Sequence, residues 1–248
     1  MENNAKKSFF QTQLFATIKL VFIVGVVVFL YAFSGARNSK RMLSKLTLNF
    51  EHPEQLLISE KTVNNLLIQN KGSVKNIAKD ALILSKLELA LNTNPFIRKS
   101  NVYVSVNGEV GVTILQKIPQ ARVHTNETFY IDEKGKKMPI SPNFAVRVPL
   151  VTGDVTENNL KDVFKVVQTI TADSFFKQEV EGIVVNKNKY TLLLREFDFV
   201  IDFGTSANGK NKIENFKAFY QKAKKDKTLH KYSIINLQIA SQVVCTKK

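Results

Sequence analysis

Residues Val102–Leu115, VYVSVNGEVGVTIL, decide how this chain folds. Apolar residues alternate with other residues on both sides of Asn107-Gly108, which is the pattern of two half-buried strands. An Asn-Gly pair between such runs favours a tight turn, because both residues tolerate a positive φ angle. The stretch therefore predicts a β-hairpin with strands over Val102–Val106 and Val110–Leu115.

One strand and two helices are predicted before this hairpin. Leu46–Phe50 alternates like a half-buried strand, and Ser59 is a suitable N-cap for a helix over Glu60–Gln69. A second helix, over about Asn76–Asn92, is apolar over most of its girth and ends before a proline. Together with the hairpin, these elements predict a compact β-α-α-β-β module over residues 46–119.

Shorter strands separated by turns are typical of the sequence after Pro119. Two helices interrupt them, at about Glu157–Ala172 and Asn208–Lys225, each with an apolar face of helical spacing. The pattern predicts a second, mostly antiparallel β domain with two helices over residues 120–248, and hence an α+β protein. Its predicted strands are Ala121–Thr125, Thr128–Asp132, Lys137–Ile140, Val148–Val151, Val180–Asn186, Tyr190–Arg195, Phe197–Phe203 and Ser233–Val244.

A long apolar run precedes both modules. Leu14–Phe33, LFATIKLVFIVGVVVFLYAF, contains one charged residue, Lys19, close to its first end. Twenty helical residues span roughly 30 Å, which is the thickness of the hydrocarbon core of a bilayer. The run predicts a transmembrane helix over residues 14–33, between a short tail (1–13) and a juxtamembrane linker (34–45).

A cleavable signal peptide is the alternative interpretation of this run. Lys6 and Lys7 would form its charged region, and Ser34-Gly35-Ala36 has the small residues of a cleavage site. Basic residues flank the run on both sides, so charge alone leaves its orientation open. The group on the C-terminal side can pair with anionic lipid headgroups. These membrane-proximal basic residues are Arg37, Lys40, Arg41 and Lys45.

Composition excludes several classes of protein. The 248 residues include 36 basic and 21 acidic side chains, a net charge of +15, and 44% are hydrophobic. A collagen, a disulfide scaffold and a fully disordered chain are excluded. Cys245 is the single cysteine and the three histidines are far apart, so we expect no metal and no other cofactor. Basic residues do not cluster with aromatic ones, so we expect no nucleic-acid partner.

The best enzymatic motif is Gly204–Asn211, GTSANGKN, between a predicted strand and a predicted helix. It resembles a phosphate-binding loop, but Asn211 replaces the hydroxyl residue that would hold Mg²⁺, and the surrounding strands are predicted to be antiparallel. We interpret it as a turn containing glycines. A nucleotide hydrolase that uses Lys210 is the enzymatic alternative. No nucleophilic triad or catalytic carboxylate pair is apparent, so the sequence favours a protein that is not an enzyme and has no small-molecule substrate.

The last predicted strand, Ser233–Val244, suggests an interaction surface. A strand at the edge of a sheet has free backbone N–H and C=O groups that can accept a strand from a partner. The alternative is a terminal strand that only completes its own sheet.

Six segments, in their order along the chain, carry a resemblance to a known family. They are Gln116-Lys-Ile-Pro119-Gln-Ala121, Tyr130-Ile-Asp132-Glu-Lys-Gly135, Pro149-Leu-Val-Thr-Gly153, Val200-Ile-Asp-Phe-Gly204 with Lys212-Ile-Glu-Asn-Phe216, and Ile235-Asn-Leu-Gln-Ile239. With the apolar run and the β-α-α-β-β order, they make the chain similar to the FtsQ/DivIB bacterial cell-division proteins. Gln116, Asn236, Gln238 and Ile239 depart from the residues that the family has at these positions.

The resemblance implies a POTRA-like module at 46–119, an FtsQ-type β domain at 120–248, and a single span in the inner membrane. The N-terminus would be cytoplasmic and the bulk of the chain periplasmic. It implies a scaffold that links early and late division proteins: it would bind FtsB-like and FtsL-like coiled-coil membrane proteins by strand addition, and other division proteins through the POTRA-like module.

Carried over to this sequence, the partner-binding edge would consist of Leu237, Ile239, Gln242, Val243 and Val244. A secretion or assembly factor that contains a POTRA module is the alternative function. Such proteins usually have several POTRA repeats, and the sequence has no internal repeat.

Overall fold

A computed structural model describes residues 2–39, 45–69, 84–105, 109–239 and 241–248. Within them the chain forms six α-helices and twelve β-strands, so the predicted α+β class is confirmed. Contacts divide the chain into two compact units. The first comprises Met1–Asn49, Val63–Leu91 and Ser100–Ile114, and the second comprises Phe50–Thr62, Asn92–Lys99 and Leu115–Lys248.

The first helix, α1 (Glu2–Ser39), contains the apolar run. Ile18–Ala36 is long and apolar enough to cross a membrane, and none of it is buried in the protein. An exposed run of this kind is stable when lipid surrounds it. The helix confirms that residues 14–33 are helical.

The elements that follow α1 keep the predicted order. They are β1 (Lys45–Phe50), α2 (Glu60–Gln69), α3 (Leu84–Asn92), β2 (Ile97–Val104) and β3 (Glu109–Gln116). The three strands form one sheet in the order β1-β3-β2. Residues 76–83 of the predicted second helix and the turn at 106–108 lie outside the described residues. The POTRA assignment and the boundaries 46–119 and 120–248 remain predictions.

Alternating apolar residues build the core of the first unit. On β3, Val110, Val112 and Ile114 are at most 1% exposed, as the two-residue period requires. Val63 and Leu67 of α2 are buried four residues apart, and so are Leu87 and Leu91 of α3. Each of these two helices therefore has an apolar stripe facing a core.

A nine-stranded mixed sheet forms the second unit. Its described strands are β4 (Pro119–His124), β5 (Thr128–Asp132), β6 (Lys137–Met138), β7 (Leu150–Gly153), β8 (Val180–Asn186), β9 (Lys189–Leu194), β10 (Val200–Gly204), β11 (Tyr232–Asn236) and β12 (Val244–Lys247). The order is β12-β11-β10-β9-β8-β7-β4-β5-β6, so β12 and β6 are the edges. Five strand pairs are antiparallel, whereas β4/β7, β7/β8 and β10/β11 are parallel.

Three helices accompany this sheet: α4 (Leu160–Ala172), α5 (Ser174–Glu179) and α6 (Gly209–Lys225). The apolar face of α4 (Val163, Val166, Val167 and Ile170) is buried in the main core, together with alternate residues of the central strands. Phe216 of α6 is fully buried and lies against Phe176, with ring centroids 5.1 Å apart. Apolar burial on this scale is the main stabilising contribution to the unit.

The predicted strand over Ser233–Val244 is wrong in its extent. Two antiparallel strands, β11 and β12, lie there, with Asn236 opposite Val244. The predicted strand over Phe197–Phe203 begins later, at Val200. Helix α4 likewise begins at Leu160 instead of Glu157.

Helix α5 was not predicted, because six residues are too few to show a helical period. Its N-cap is Asp173, whose side chain accepts hydrogen bonds from the N–H groups of Phe175 and Phe176. Lys217 of α6 donates a further hydrogen bond to Asp173 at 2.8 Å. Burial raises the pKa of Asp173, but these bonds and the charge of Lys217 outweigh burial and bring it below 3.8. The carboxylate thus joins α5 to α6.

We predict that Asp173→Asn lowers the free energy of unfolding by about 0.5–1 kcal/mol at neutral pH, because Asn still caps α5 but loses the ion pair with Lys217, whose side chain is 45% exposed. Because the folded-state pKa lies below the unfolded one, this stabilisation is present above the unfolded pKa and is lost as pH falls through the folded-state pKa. Urea unfolding of the detergent-solubilised chain between pH 7 and pH 3 measures the difference. Asp198→Asn, at an 88% exposed ion pair, is the control with little effect. A pH-independent difference for Asp173→Asn would contradict the electrostatic argument.

Candidate interaction site

Strand β12 is the C-terminal edge of the large sheet, and β6 is the other edge. Strand β12 pairs on one side with β11, and no described strand lies on its other side. Lys248 N–H donates to Lys231 C=O at 2.9 Å, so the backbone at this residue points toward β11. Backbone groups alternate in direction along a strand, so both groups of Cys245 and the N–H of Lys247 are directed away from β11. The Lys247 C=O instead accepts a hydrogen bond from Ser233 Oγ at 3.3 Å.

The five predicted edge residues, which lie between the end of β11 and the start of β12, differ in their solvent exposure. Leu237 is 1% exposed and belongs to the main core, whereas Ile239 and Val244 are 46% and 45% exposed. Gln242 is exposed, and Val243 is half-buried and packs against the core just before β12. Four of the five side chains are thus at least partly accessible, and Leu237 holds β11 to the rest of the sheet.

A polar network around Asp202 anchors the end of β11. The carboxylate accepts hydrogen bonds from the side-chain amides of Asn236 and Gln238, and the Asp202 carbonyl accepts one from Leu237 N–H. The side chain of Asn236 accepts a bond from Gln238 N–H at 2.8 Å, which turns the chain out of the strand. Asn236 and Gln238 are two of the four positions at which the resemblance predicts a departure from the family pattern, and both amides are used within the chain.

Gly204 has no side chain and therefore leaves room for the Gln238 side chain in this network. Its φ is +69°, and an added Cβ would lie 2.6 Å from Gln238 Cγ. Sequence reasoning assigned the glycine to a turn and did not connect it with Gln238, 34 residues later. The pairing of Asp202 with two amides brings these distant residues together.

Residues 205–208 of the motif form the loop that connects β10 to α6, and β11 then pairs with β10 in parallel. This corrects the expectation of purely antiparallel surroundings: the motif lies in a β-α-β unit. Lys212, and not Lys210, is the buried lysine, at 4% exposure. It donates a 2.7 Å hydrogen bond to Thr205 C=O and lies 4.8 Å from the centre of the Phe203 ring. Burial lowers the pKa of Lys212, and the charge of Asp202 opposes that shift.

Buried Lys212 therefore holds the loop in place, and its ammonium group is already hydrogen-bonded to Thr205 C=O. Lys210 is exposed and lines an open groove between α4 and α6. Asp202, the acid at the end of β10, is engaged with Asn236 and Gln238. The geometry favours a structural role for the motif over phosphate binding.

No group of three or more potential metal ligands occurs within the described residues. Cys245 is half-buried, and burial raises the pKa of its thiol, which disfavours the reactive thiolate. Of the membrane-proximal basic residues, Arg37 and Lys45 have described backbones only, and Lys40 and Arg41 lie outside the described residues. Their role remains a prediction.

One family model matches the chain. Its description is "FtsQ/DivIB, C-terminal related", and it covers residues 118–246, which is just over half of the sequence and includes β12. No curated protein matches the chain.

We predict that Lys212→Met lowers the free energy of unfolding by about 1–3 kcal/mol, because the Thr205 carbonyl loses its donor. Lys210→Met, two residues away and exposed, should change it by less than about 0.5 kcal/mol. Thermal unfolding with and without Mg²⁺-ATP is the second measurement, and we expect no shift for the unmodified chain. A rise in melting temperature that Lys210→Met abolishes would instead support the nucleotide-binding alternative.

Proposed function

The chain belongs to the FtsQ/DivIB family of cell-division proteins, and on that premise we propose that it is a non-enzymatic, single-pass membrane scaffold of the division machinery. It would link early and late division proteins by accepting a strand from a partner at β12. The observation that carries this proposal is the open edge of the nine-stranded sheet at β12, where strand alternation directs both backbone groups of Cys245 and the N–H of Lys247 outward.

Strand addition fits the chemistry of this edge. The N–H and C=O of Cys245 and the N–H of Lys247 offer about three backbone hydrogen bonds, each with a net contribution of about 0.5–1.5 kcal/mol. Because backbone groups supply these bonds, the departures at Asn236, Gln238 and Ile239 are compatible with partner binding. Exposed Val244 and Ile239 would add apolar contacts. Leu237 would act indirectly, by holding β11 in the sheet.

Attachment to the membrane would compensate for so short an edge. Helix α1 can cross a bilayer by length and composition, and the basic group from Arg37 to Lys45 would lie beside the lipid headgroups. Confining both partners to one membrane raises their effective concentration, so a weak strand addition suffices. FtsB-like and FtsL-like coiled-coil proteins are the proposed partners at β12, and other division proteins would bind the POTRA-like module.

Lys247→Pro tests the edge directly. Proline removes one outward N–H, and an edge strand tolerates proline when its N–H side faces solvent. We expect binding to fall roughly two- to tenfold, as the loss of one such hydrogen bond implies, while the melting temperature stays nearly unchanged. Binding of the full chain in nanodiscs to a labelled peptide is the measurement. The peptide comes from the segment after the coiled coil of the FtsB-like protein of the same organism.

Lys247→Ala is the matched control, because it removes the same side chain and keeps the N–H group. It should bind like the unmodified chain, apart from a small change in salt dependence. Equal losses in both variants would mean that the side chain, and not the backbone, is recognised. Unchanged binding by Lys247→Pro would overturn strand addition at this edge.

Membrane topology gives a second test of the scaffold proposal. In a Cys245→Ser background, Asn158→Cys places one thiol on an exposed loop of the second unit, and Asn3→Cys places one in the N-terminal tail. We expect a membrane-impermeant maleimide to label Asn158→Cys in cells with a permeabilised outer membrane, and Asn3→Cys only after the inner membrane is lysed. Loss of the N-terminal thiol from the mature protein would instead support a cleaved signal peptide.

A further inference from the structure

A basic cleft opens on the second unit, away from β12. Its volume is about 530 Å³, and four parts of the chain line it: the segment that leads into β7, helix α5, the start of β8 and the residue that follows β9. The first, second and fourth contribute the cations Arg147, Lys177 and Arg195. We propose that this basic cleft binds an extended acidic segment of a partner protein.

The charges of the basic cleft are available to a ligand. All three cationic side chains are exposed, and none forms an ion pair with a carboxylate of the described residues. Glu181 is the single acidic residue that lines the cleft. The three cations repel one another, and the single acid offsets only one of the three charges. A ligand that carries carboxylates relieves this repulsion, so the cleft favours carboxylates.

The floor of the cleft is apolar. Val180 is 2% exposed, Pro149 is buried and Val148 is half-buried. An apolar floor below a cationic rim suits a ligand that alternates small apolar groups with acids, as an extended peptide can do on its two sides. A flat lipid surface would reach the rim and leave the floor empty, so the shape favours a peptide.

A second cavity of about 570 Å³ continues from the first. The two share Arg147, Val148, Pro149 and Lys177, and they therefore form one groove. Beyond the shared residues, Gln120, Gln168 and Thr171 line the second cavity. Amides and hydroxyls can both donate to and accept from a peptide backbone, so the continuation is suited to an extended chain of several residues.

The occupant is a different protein and not a second copy of this chain. Residues 46–248 carry a net charge of +9, so a second copy would bring mainly positive charge to the cleft. Its alternating acids, Glu179 and Glu181, flank Val180, which is 2% exposed within its own fold. The basic cleft is also separate from the proposed strand-addition edge, since β10 and β11 lie between β9 and β12. The inference therefore does not depend on the proposed function.

The experiment measures fluorescence anisotropy of an eight-residue peptide of alternating Glu and Val, titrated with the full chain in nanodiscs of zwitterionic lipid. We expect the Glu peptide to bind at least tenfold more tightly than a Gln-Val counterpart. We also expect Arg147→Gln/Lys177→Gln/Arg195→Gln to lose at least tenfold in affinity. These exposed positions make no described contact that folding needs, and circular dichroism verifies that the variant is folded.

The matched control is Lys134→Gln/Lys161→Gln/Lys222→Gln, which removes the same charge from exposed sites outside the basic cleft and should keep the affinity. Lys247→Pro should also leave peptide binding unchanged, so failure of the edge and failure of the cleft are distinguishable. Equal binding of the Gln-Val peptide, or an equal loss in the control, would overturn the proposal. Binding of disaccharide-peptide fragments of the cell wall, without binding of the Glu peptide, would assign the cleft to a cell-wall ligand and overturn it as well.

Discussion

Burial of one face of α6 against the large sheet is the interaction on which the second unit depends. The helix connects β10 to β11, which are parallel neighbours, so the chain must cross one face of the sheet between them. Phe216 fixes that crossing: it is fully buried, and its ring lies within 6 Å of those of Phe175, Phe176 and Tyr220. If this packing failed, β11 would lose its position, and β12 would have no strand to pair with.

The end of β11 adds a second, polar constraint. Asp202 binds both Asn236 and Gln238, and Gly204 leaves room for the glutamine side chain. A strand that continued straight past Asn236 would give up these hydrogen bonds and leave the carboxylate without them. The chain turns instead, returns as β12 and forms an edge. The open edge is therefore a consequence of side-chain chemistry on the neighbouring strand.

Local sequence patterns predicted the elements whose signals are local. Helices α2 and α6 show clear apolar faces and occur where expected, and β5 and β8 match their predicted bounds. The turn after Asn236 has no glycine or proline, and apolar residues continue on both sides of it, so alternation alone suggested one strand. Helix α5 was missed because its only sequence signal is a single N-cap residue, Asp173. The ion pair with Lys217 that reinforces this cap depends on the tertiary fold, which local sequence does not specify. Parallel pairing of β10 with β11 depends on a partner 34 residues away, which no local pattern specifies.

The two candidate surfaces differ in how much of each could be predicted from the sequence. An edge at the C-terminus follows from family resemblance and from the position of the last strand, although its residues shift by several positions to Val244–Lys247. The basic cleft could not be foreseen, because Arg147, Lys177 and Arg195 are separated by 30 and 18 residues and lie on three different elements. A sheet of nine strands keeps the two surfaces apart, and each offers a different chemistry: backbone hydrogen bonds at β12 and unpaired cations in the cleft. Under the proposed function, the second unit would hold two segments at once, and the two weak contacts would reinforce each other because binding of the first raises the local concentration of the second.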